Sequence, residues 1–152
     1  MEDILNSDMQ YRRVSVRGSL LYDLTVLVRP KPAPSSVPER VLTWGGSSGA
    51  YVLTPFRLVT PRNKELDVIW VNRGWVPARM QAMDRSTWDI MATDPKQTVE
   101  IQGVLRNSDR TNSFTPDNVV EKDDWYWVDR HALTQLLDPS AKHDFLLMDA
   151  FE

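Results

Sequence analysis

The sequence predicts a mainly β fold, namely an antiparallel β-barrel or sandwich of about seven strands with one or two short helices. Short apolar or alternating segments recur along the chain, and Gly-, Pro- and Asp-containing turns separate them. Helix signals, by contrast, are confined to short stretches. With 152 residues, 41% of them hydrophobic and 26% charged, the chain has the size and composition of a single globular domain.

Three strands are predicted in the first part of the chain. In the first strand apolar and polar residues alternate, with one face formed by Val14, Val16 and Gly18. Leu24 to Val28 form the second strand, which we expect Pro30 to end because proline donates no ladder hydrogen bond. Tyr51 to Val59 form the third, in which Pro55 predicts a bulge or an edge position.

Four more strands are predicted further along the chain: Val68 to Val71, Val99 to Leu105, Trp125 to Val128, and Phe145 to Met148. The first is a continuous apolar run, which is typical of a buried strand. The second alternates, as expected of a strand with one buried face. The tryptophans at 125 and 127 are two residues apart, so a strand here would place both on one face.

Two short helices are predicted. Asp129 is a favourable N-cap for a helix from Arg130 to Leu137, and Pro139 follows its end. We expect the apolar face of this helix to comprise Leu133, Leu136 and Leu137. Ala78 to Met83 form a shorter helical turn after Pro77.

Residues 1–152 are predicted to form one soluble β-rich domain. Residues 1–10 are an N-terminal extension, and residues 29–49, with four prolines and three glycines, are a long loop that includes Trp44. No apolar run approaches the roughly 18 residues that span a bilayer. The chain has no cysteine, which excludes disulfides, thiolate metal sites and a cysteine nucleophile.

Residue types typical of catalytic and metal sites are scarce. His131 and His143 are the two histidines, and their separation matches no common ligand spacing, so we predict two surface histidines and no metal site. The acidic segment from Glu121 to Asp124 lacks the alternating ligands and the glycine of a calcium loop. No phosphate-binding loop, nucleophile elbow or dinucleotide motif is present. The sequence therefore indicates a protein that is not an enzyme and has no catalytic residues.

A nucleic-acid partner is also disfavoured. Arg12, Arg13 and Arg17 lie beside aromatic residues, as on a barrel that binds single strands. The cations are few, however, and the acidic C-terminal half of the chain opposes binding of a polyanion. The six tryptophans favour either a hydrophobic core or a protein-binding surface, and both alternatives remain open for each indole.

The most informative stretch is Val71 to Pro77, VNRGWVP. Asn72 and Gly74 tolerate a left-handed backbone, and Pro77 ends a strand ladder. Arg73 and Trp75 are residue types that carry energy at contact surfaces. Arg73 could pair with a carboxylate, or stack on Trp75 or Tyr51. The alternative is an ordinary strand–turn–strand joint with an exposed arginine.

Together with Gly49 to Phe56, GAYVLTPF, this stretch resembles the paired signature of the Surfeit locus protein 1 family. Further segments resemble the family in the same order, at residues 11–18, 103–106, 114–118, 125–129 and 146–151. The resemblance implies structural or partner-binding roles, and no catalytic ones, at the signature positions Tyr51, Thr54, Pro55, Asn72, Arg73, Gly74 and Trp75.

The family resemblance also implies a function. Its members are assembly factors for cytochrome c oxidase (respiratory complex IV), with a soluble domain on the intermembrane-space side of the mitochondrial inner membrane. The implied partners are oxidase subunits or assembly intermediates. Some bacterial relatives are associated with haem a, but the histidines involved belong near or within membrane helices. We therefore expect no cofactor in this chain.

Family members have a membrane helix before the opening strand and another after the last one, and we expect neither in this sequence. Two interpretations follow: an excised soluble domain, or a homologue without its anchors. The second would suit an accessory subunit stably bound to the oxidase or a respiratory supercomplex, rather than a transient chaperone.

Overall fold

The computed structural model describes residues 11–33, 35, 48–59, 68–77 and 97–150. These residues form the strands β1 (Arg13–Leu20), β2 (Val26–Pro32), β3 (Ser48–Leu58), β4 (Val68–Pro77), β5 (Val99–Arg106) and β6 (Leu147–Ala150). The helix α1 (Arg130–Leu137) lies between β5 and β6 along the chain. Single 3-10 turns occupy Tyr22–Leu24 and Val120–Lys122.

The strands pair in the order β1-β5-β6-β4-β3-β2, and β1 also pairs with β3. Five strands therefore close into a barrel, and β2 extends the sheet beside β3. This confirms the mainly β prediction and selects the barrel over the sandwich. The pairings are antiparallel except that of β4 with β6, which is parallel and follows a long crossover through β5 and α1.

The buried apolar side chains form two clusters. One lies on the inner side of the barrel and contains Leu20, Phe56, Ile69, Val71, Leu105 and Met148. The other joins β2, β3 and β4 to α1 and contains Val26, Val28, Leu53, Trp70, Trp125, Val128, Leu133 and Leu147. Successive residues of β4 enter different clusters, so this strand is buried on both faces. That explains its continuous apolar sequence.

Helix α1 begins and ends at the predicted residues. The Asp129 carboxylate accepts hydrogen bonds from the backbone N–H groups of His131 and Ala132, at 3.1 and 3.2 Å. The predicted apolar face was wrong at Leu136, whose side chain is 42% exposed. At 100° per residue the buried Arg130, Leu133 and Thr134 form a face centred near Arg130, and Leu136 lies about 120° from that centre.

Strand β2 does not end at Pro30, contrary to prediction. Val28 pairs with Tyr51 and Lys31 pairs with Gly49, so β2 carries one extra residue in this interval. This bulge accommodates the proline, whose missing N–H is not needed in the ladder. The predicted loop at 29–49 is therefore shorter at both ends. Its residues 34 and 36–47, including Trp44, lie outside the described part of the chain.

The predicted strand from Trp125 to Val128 was also wrong. Only an isolated bridge, between Val28 and Trp125, forms here. The Asn118 side chain accepts hydrogen bonds from the Tyr126 and Trp127 N–H groups, at 2.6 and 3.3 Å, and donates to the Trp127 carbonyl. These bonds replace a strand ladder. Trp125 is buried in the core whereas Trp127 is half-exposed, so the two indoles do not share one face.

The remaining predictions have mixed outcomes. Strand β6 begins two residues after the predicted start, because the Phe145 N–H donates to the Thr134 hydroxyl at 2.7 Å instead of entering the ladder. Trp70 is buried, in agreement with a core role. The extension at 1–10, the helical turn at 78–83 and Trp88 lie outside the described residues.

Candidate functional site

Strands β3 and β4 place the two signature segments side by side. Tyr51 is the Cα partner of Trp75, and Thr54 and Pro55 are the partners of Val71 and Trp70. Segments that are separate in sequence are thus neighbours in the sheet. The candidate site consists of these paired strands and the polar side chains that contact them.

A bulge in β4 lies at the centre of the signature. Between the pairs Tyr51–Trp75 and Leu53–Asn72, β4 contains one more residue than β3. Gly74 lies in this bulge with a φ of 126°, and the Asn72 side-chain oxygen accepts its N–H at 3.0 Å. The sequence correctly indicated an unusual backbone at Gly74. It placed the bulge at Pro55 instead.

Pro55 is at neither a bulge nor an edge. It pairs with Trp70 on one side, and on the other its carbonyl accepts the Leu21 N–H at 2.8 Å. That side faces the seam where the neighbour of β3 changes from β2 to β1, since β2 pairs up to Leu53 and β1 from Phe56. No strand requires an N–H from β3 at this seam, so a proline fits within a central strand.

Two signature residues hold the connection between β1 and β2. The hydroxyls of Thr54 and Thr25 lie 2.9 Å apart, and the Thr25 hydroxyl donates to the Tyr22 carbonyl at 2.7 Å. The Arg73 guanidinium lies 5.0 Å from the centroid of the Tyr22 ring. The stacking expected of Arg73 therefore involves an aromatic residue that the sequence analysis did not name.

The other polar signature residues begin a chain of side-chain contacts across the barrel. Asn72 donates to Asp149 on β6 at 3.1 Å, and Asp149 lies 3.5 Å from the Arg106 guanidinium. Arg106 pairs in turn with Asp109, which also accepts from the Lys31 ammonium at 3.2 Å. These five residues, which we call the polar chain, join β4, β6, β5 and β2.

Trp75 connects the signature to the far end of the polar chain. Its indole N–H donates to the Lys31 carbonyl at 3.0 Å. The indole also needs the glycine at position 49, because a Cβ there would lie 2.6 Å from the Trp75 ring and 2.0 Å from the Val76 carbonyl oxygen. Trp75 therefore lies over the bulge of β2 and packs against β3, and its orientation is fixed by both strands.

Asp109 is the centre of the polar chain. Burial raises the pKa of this carboxyl group, but three partners outweigh burial and hold the pKa below its ordinary value of 3.8. They are the Val128 N–H at 2.9 Å, the Arg106 guanidinium and the Lys31 ammonium. The Asp109 N–H also donates to the Val128 carbonyl, at 2.8 Å. Asp109 therefore attaches the segment before α1 to the barrel.

Lys31 and Asp109 lie outside the segments that resemble the family, and no sequence pattern indicated a role for them. Arg106 and Asp149 lie inside such segments, at 103–106 and 146–151, so that resemblance was a usable signal for these two. Asp109 is an isolated acid in a loop, and its partner Lys31 is 78 positions away. No local pattern could have paired them.

The histidines do not form a metal site in the described part of the chain. The Nδ1 atom of the exposed His131 lies 2.9 Å from an Asp144 carboxylate oxygen. Among the described residues no three His, Asp or Glu side chains are close enough to hold a metal ion. His131 and His143 share a cleft of about 580 Å³ whose other lining includes Asn107, Arg130 and Asp144.

A second surface lies next to the polar chain, and we call it the Phe114 surface. It comprises the exposed side chain of Phe114 and an adjoining cleft of about 460 Å³, lined by Pro30, Lys31, Arg110, Pro116, Tyr126 and Trp127. Phe114 is 91% exposed. Its N–H donates to the Asn112 side chain at 2.8 Å, and the Thr115 N–H to the Asn112 carbonyl at 3.1 Å. These bonds order the backbone of the turn that carries the exposed ring.

In the segments that the structure describes, no helix has both the length and the apolar character needed to traverse a bilayer.

Comparison with known proteins gives the family. A model of the SURF1 family matches residues 2–151. The chain is 33% identical over 141 residues to a SURF1-like protein of Monosiga brevicollis, covering 88% of this chain and 51% of that relative. It is 29% identical over 135 residues to Surfeit locus protein 1 of Takifugu rubripes, covering 86% and 52%.

The same region matches the human relative. Identity to Surfeit locus protein 1 of Homo sapiens is 28% over 135 residues, covering 85% of this chain and 42% of that protein. The chain thus spans about half the length of the curated relatives it matches. Because the family model covers all but the terminal residues, this chain belongs to the SURF1 family.

Proposed function

We propose that this chain is a non-enzymatic assembly factor for cytochrome c oxidase, respiratory complex IV. It supports maturation of the catalytic subunit through protein–protein contacts, on the intermembrane-space side of the mitochondrial inner membrane. Membership of the SURF1 family supports this proposal. The partners are oxidase subunits or assembly intermediates, without nucleic acid.

The observation that carries the proposal is the Phe114 surface. Because the turn that carries this exposed ring has an ordered backbone, only the side chain loses conformational entropy when a partner covers it. Aromatic residues also contribute a large share of the energy at protein interfaces. The adjoining cleft adds Tyr126 and Trp127, so a partner that covers both Phe114 and this cleft would meet three aromatic side chains.

The charges at this surface favour an acidic partner segment. Asp109 is already occupied by Lys31 and Arg106. Arg110 lines the cleft, and no carboxylate in the described part of the chain pairs with it. A carboxylate of the partner could therefore bind Arg110 in a forked geometry, beside the aromatic side chains.

The signature residues have a different role in this proposal. Thr54, Asn72 and Arg73 bind to other parts of the same barrel, as do Tyr51 and Trp75 across their strand pair. We infer that they maintain the barrel whose loops carry the Phe114 surface. The alternative function is an accessory subunit stably bound to the oxidase or a supercomplex, and the same surface would serve it.

Capture from solubilised mitochondrial membranes tests the proposal. We expect the purified chain to retain oxidase subunits, identified by mass spectrometry. Phe114→Ala and Arg110→Glu should each lower recovery about tenfold or more. Leu136→Ala is the matched control, because it removes another exposed apolar side chain on a different element. It should leave recovery unchanged.

The captured material separates the two candidate functions. Oxidase that is immature and haem-deficient supports the assembly factor, whereas active oxidase supports the accessory subunit. Failure to recover either would contradict both. A haem titration followed by absorbance tests the expected lack of a cofactor, and a saturable, stoichiometric Soret shift would contradict it.

A further inference from the structure

The other end of β3 contains a cleft that the proposed function does not use. It measures about 530 Å³, within the roughly 300–1,000 Å³ of typical ligand sites. Its apolar walls come from the β1–β2 connection, the start of β4, the end of α1 and the loop between α1 and β6. The residues are Leu21, Leu24, Val68, Leu137 and Phe145. Leu24 is 47% exposed, so the wall is open to solvent.

Two cations from separate elements lie at this apolar cleft. Arg57 comes from the end of β3, and Lys142 from the loop between α1 and β6. Both are exposed, and no carboxylate among the described residues forms an ion pair with either. The acid at the cleft is Asp138, whose carboxylate accepts the Ser140 N–H and hydroxyl at 3.1 and 2.7 Å.

The loop that carries Lys142 is ordered by its own hydrogen bonds. The Ala141 N–H donates to the Asp138 carbonyl at 3.1 Å, in addition to the two Ser140 bonds. Phe145, which follows, is fixed by its N–H bond to Thr134 and by the Arg130 side chain, which donates to its carbonyl at 3.0 Å. Lys142 of the cationic rim and Phe145 of the apolar wall therefore belong to one hydrogen-bonded segment.

We propose that this cleft binds an amphipathic anion. Its carboxylate or phosphate would lie between Arg57 and Lys142, and its hydrocarbon part would cover Leu21, Leu24 and Leu137. Cations without acidic partners in the described residues favour an anion, and the exposed Leu24 beside the half-buried Leu21 and Leu137 favours a ligand with an apolar part. A free molecule, such as an alkyl phosphate, and the headgroup region of an anionic phospholipid share this chemistry.

Calorimetric titration of the full chain with decyl phosphate, below its micelle concentration, tests the proposal. We expect saturable binding at one molecule per chain. Decyl glucoside, with the same hydrocarbon chain and no charge, should bind at least about tenfold more weakly. Replacing one cation, in Arg57→Gln or Lys142→Gln, should weaken decyl phosphate binding about three- to fivefold, and the double variant more.

Two further variants separate the cleft from general effects of charge. Arg110→Gln removes an exposed cation at the Phe114 surface and should leave the affinity for decyl phosphate unchanged. Leu24→Ser removes part of the apolar wall without emptying the core, and should weaken binding of decyl phosphate more than binding of inorganic phosphate. Circular dichroism confirms that each variant is folded.

A parallel titration identifies the source of the anion. Vesicles that contain phosphatidylglycerol, compared with phosphatidylcholine vesicles, test the lipid headgroup with the same variants. Binding of either decyl phosphate or the anionic vesicles that depends on Arg57 and Lys142 supports the proposal and names the source. The proposal is overturned if decyl phosphate and decyl glucoside bind equally well. It is also overturned if the affinity for decyl phosphate does not change when Arg57 and Lys142 are replaced. Lack of binding to both probes overturns it as well.

Discussion

The two ends of the β3–β4 pair use their charged side chains in opposite ways. At the end where Gly49 meets Pro77, the polar chain pairs each of its charged groups with another part of the barrel. At the other end, where Arg57 meets Val68, exposed cations stand over an apolar cleft without acidic partners in the described residues. Eight positions, or roughly 26 Å of strand, separate these ends.

The difference indicates where binding should be sought. A paired group that also bridges strands stabilises the fold, and removing it leaves a partner desolvated. A group without a partner in the protein contributes little to stability and is available to a ligand. The signature attracts attention in the sequence, but most of its side chains belong to the first kind. The sites for other molecules lie beside it.

The strongest test of this contrast is Asp109→Ala compared with Arg110→Ala. Loss of Asp109 leaves Lys31 and Arg106 half-buried without their shared carboxylate, and the Val128 N–H without its acceptor. We expect a loss of about 2–4 kcal/mol in the free energy of unfolding, measured with urea. Arg110→Ala, one residue further, should change it by less than about 0.5 kcal/mol.

A similar loss for both variants would show that the segment after β5 is stabilised by its backbone and not by the polar chain. A small loss for both would show that the ion pairs of Asp109 only offset their desolvation. Either result would remove the distinction between the two ends of the strand pair.

The packing of Trp75 against Gly49 predicts the next largest change in unfolding free energy. In Gly49→Ala the new methyl group would meet the Val76 carbonyl oxygen and the Trp75 ring, so β3 and β4 must separate locally. We expect a loss of about 1–3 kcal/mol in unfolding free energy and a change in near-ultraviolet circular dichroism. Ser48→Ala, at an exposed neighbouring position, is the control and should have neither effect. A stable Gly49→Ala with an unchanged spectrum would contradict the packing described for this indole.

The lowered pKa of Asp109 also predicts how the stability of the protein depends on pH. The pKa of this carboxyl group is lowered in the folded protein, so near pH 3.8 and below the unfolded chain binds more protons than the folded chain does. The stability from its contacts with Arg106 and Lys31 is therefore complete above that pH, and is lost as pH falls through the folded pKa. Asp109→Asn should flatten the acid side of the stability curve, measured by urea unfolding at successive pH values. An identical slope in the variant would assign acid sensitivity to other carboxylates.

The sequence predicted what depends on neighbouring residues. Alternation predicted β1 and β5, a continuous apolar run predicted the buried part of β4, and Asp129 and Pro139 predicted the start and the end of α1. These features follow from local periodicity and capping, which act within a few residues. The family resemblance then identified segments that pair in the sheet, although it could not give their contacts.

The sequence failed where the outcome depends on closure of the barrel. Pro55 has no N–H to donate, which the sequence shows. Only the structure shows that the neighbour of β3 changes from β2 to β1 at this point, so that no bulge is needed. Likewise, Trp125 to Val128 has the composition of a strand. Its backbone N–H groups at Tyr126 and Trp127 nevertheless donate to the Asn118 side chain and not to a neighbouring strand. Such partners are distant in sequence, so composition cannot reveal them.

The smallest predicted effect on stability completes the comparison. Arg57→Gln combined with Lys142→Gln should change the unfolding free energy by less than about 0.5 kcal/mol, because neither cation has an acidic partner in the described residues. Thermal unfolding with and without decyl phosphate then adds a second measurement. A ligand that binds only the folded chain raises its melting temperature, so the wild type should shift and the double variant should shift less. If the double variant instead unfolds much more readily without ligand, these cations serve the fold, and the two ends of the strand pair do not differ in kind.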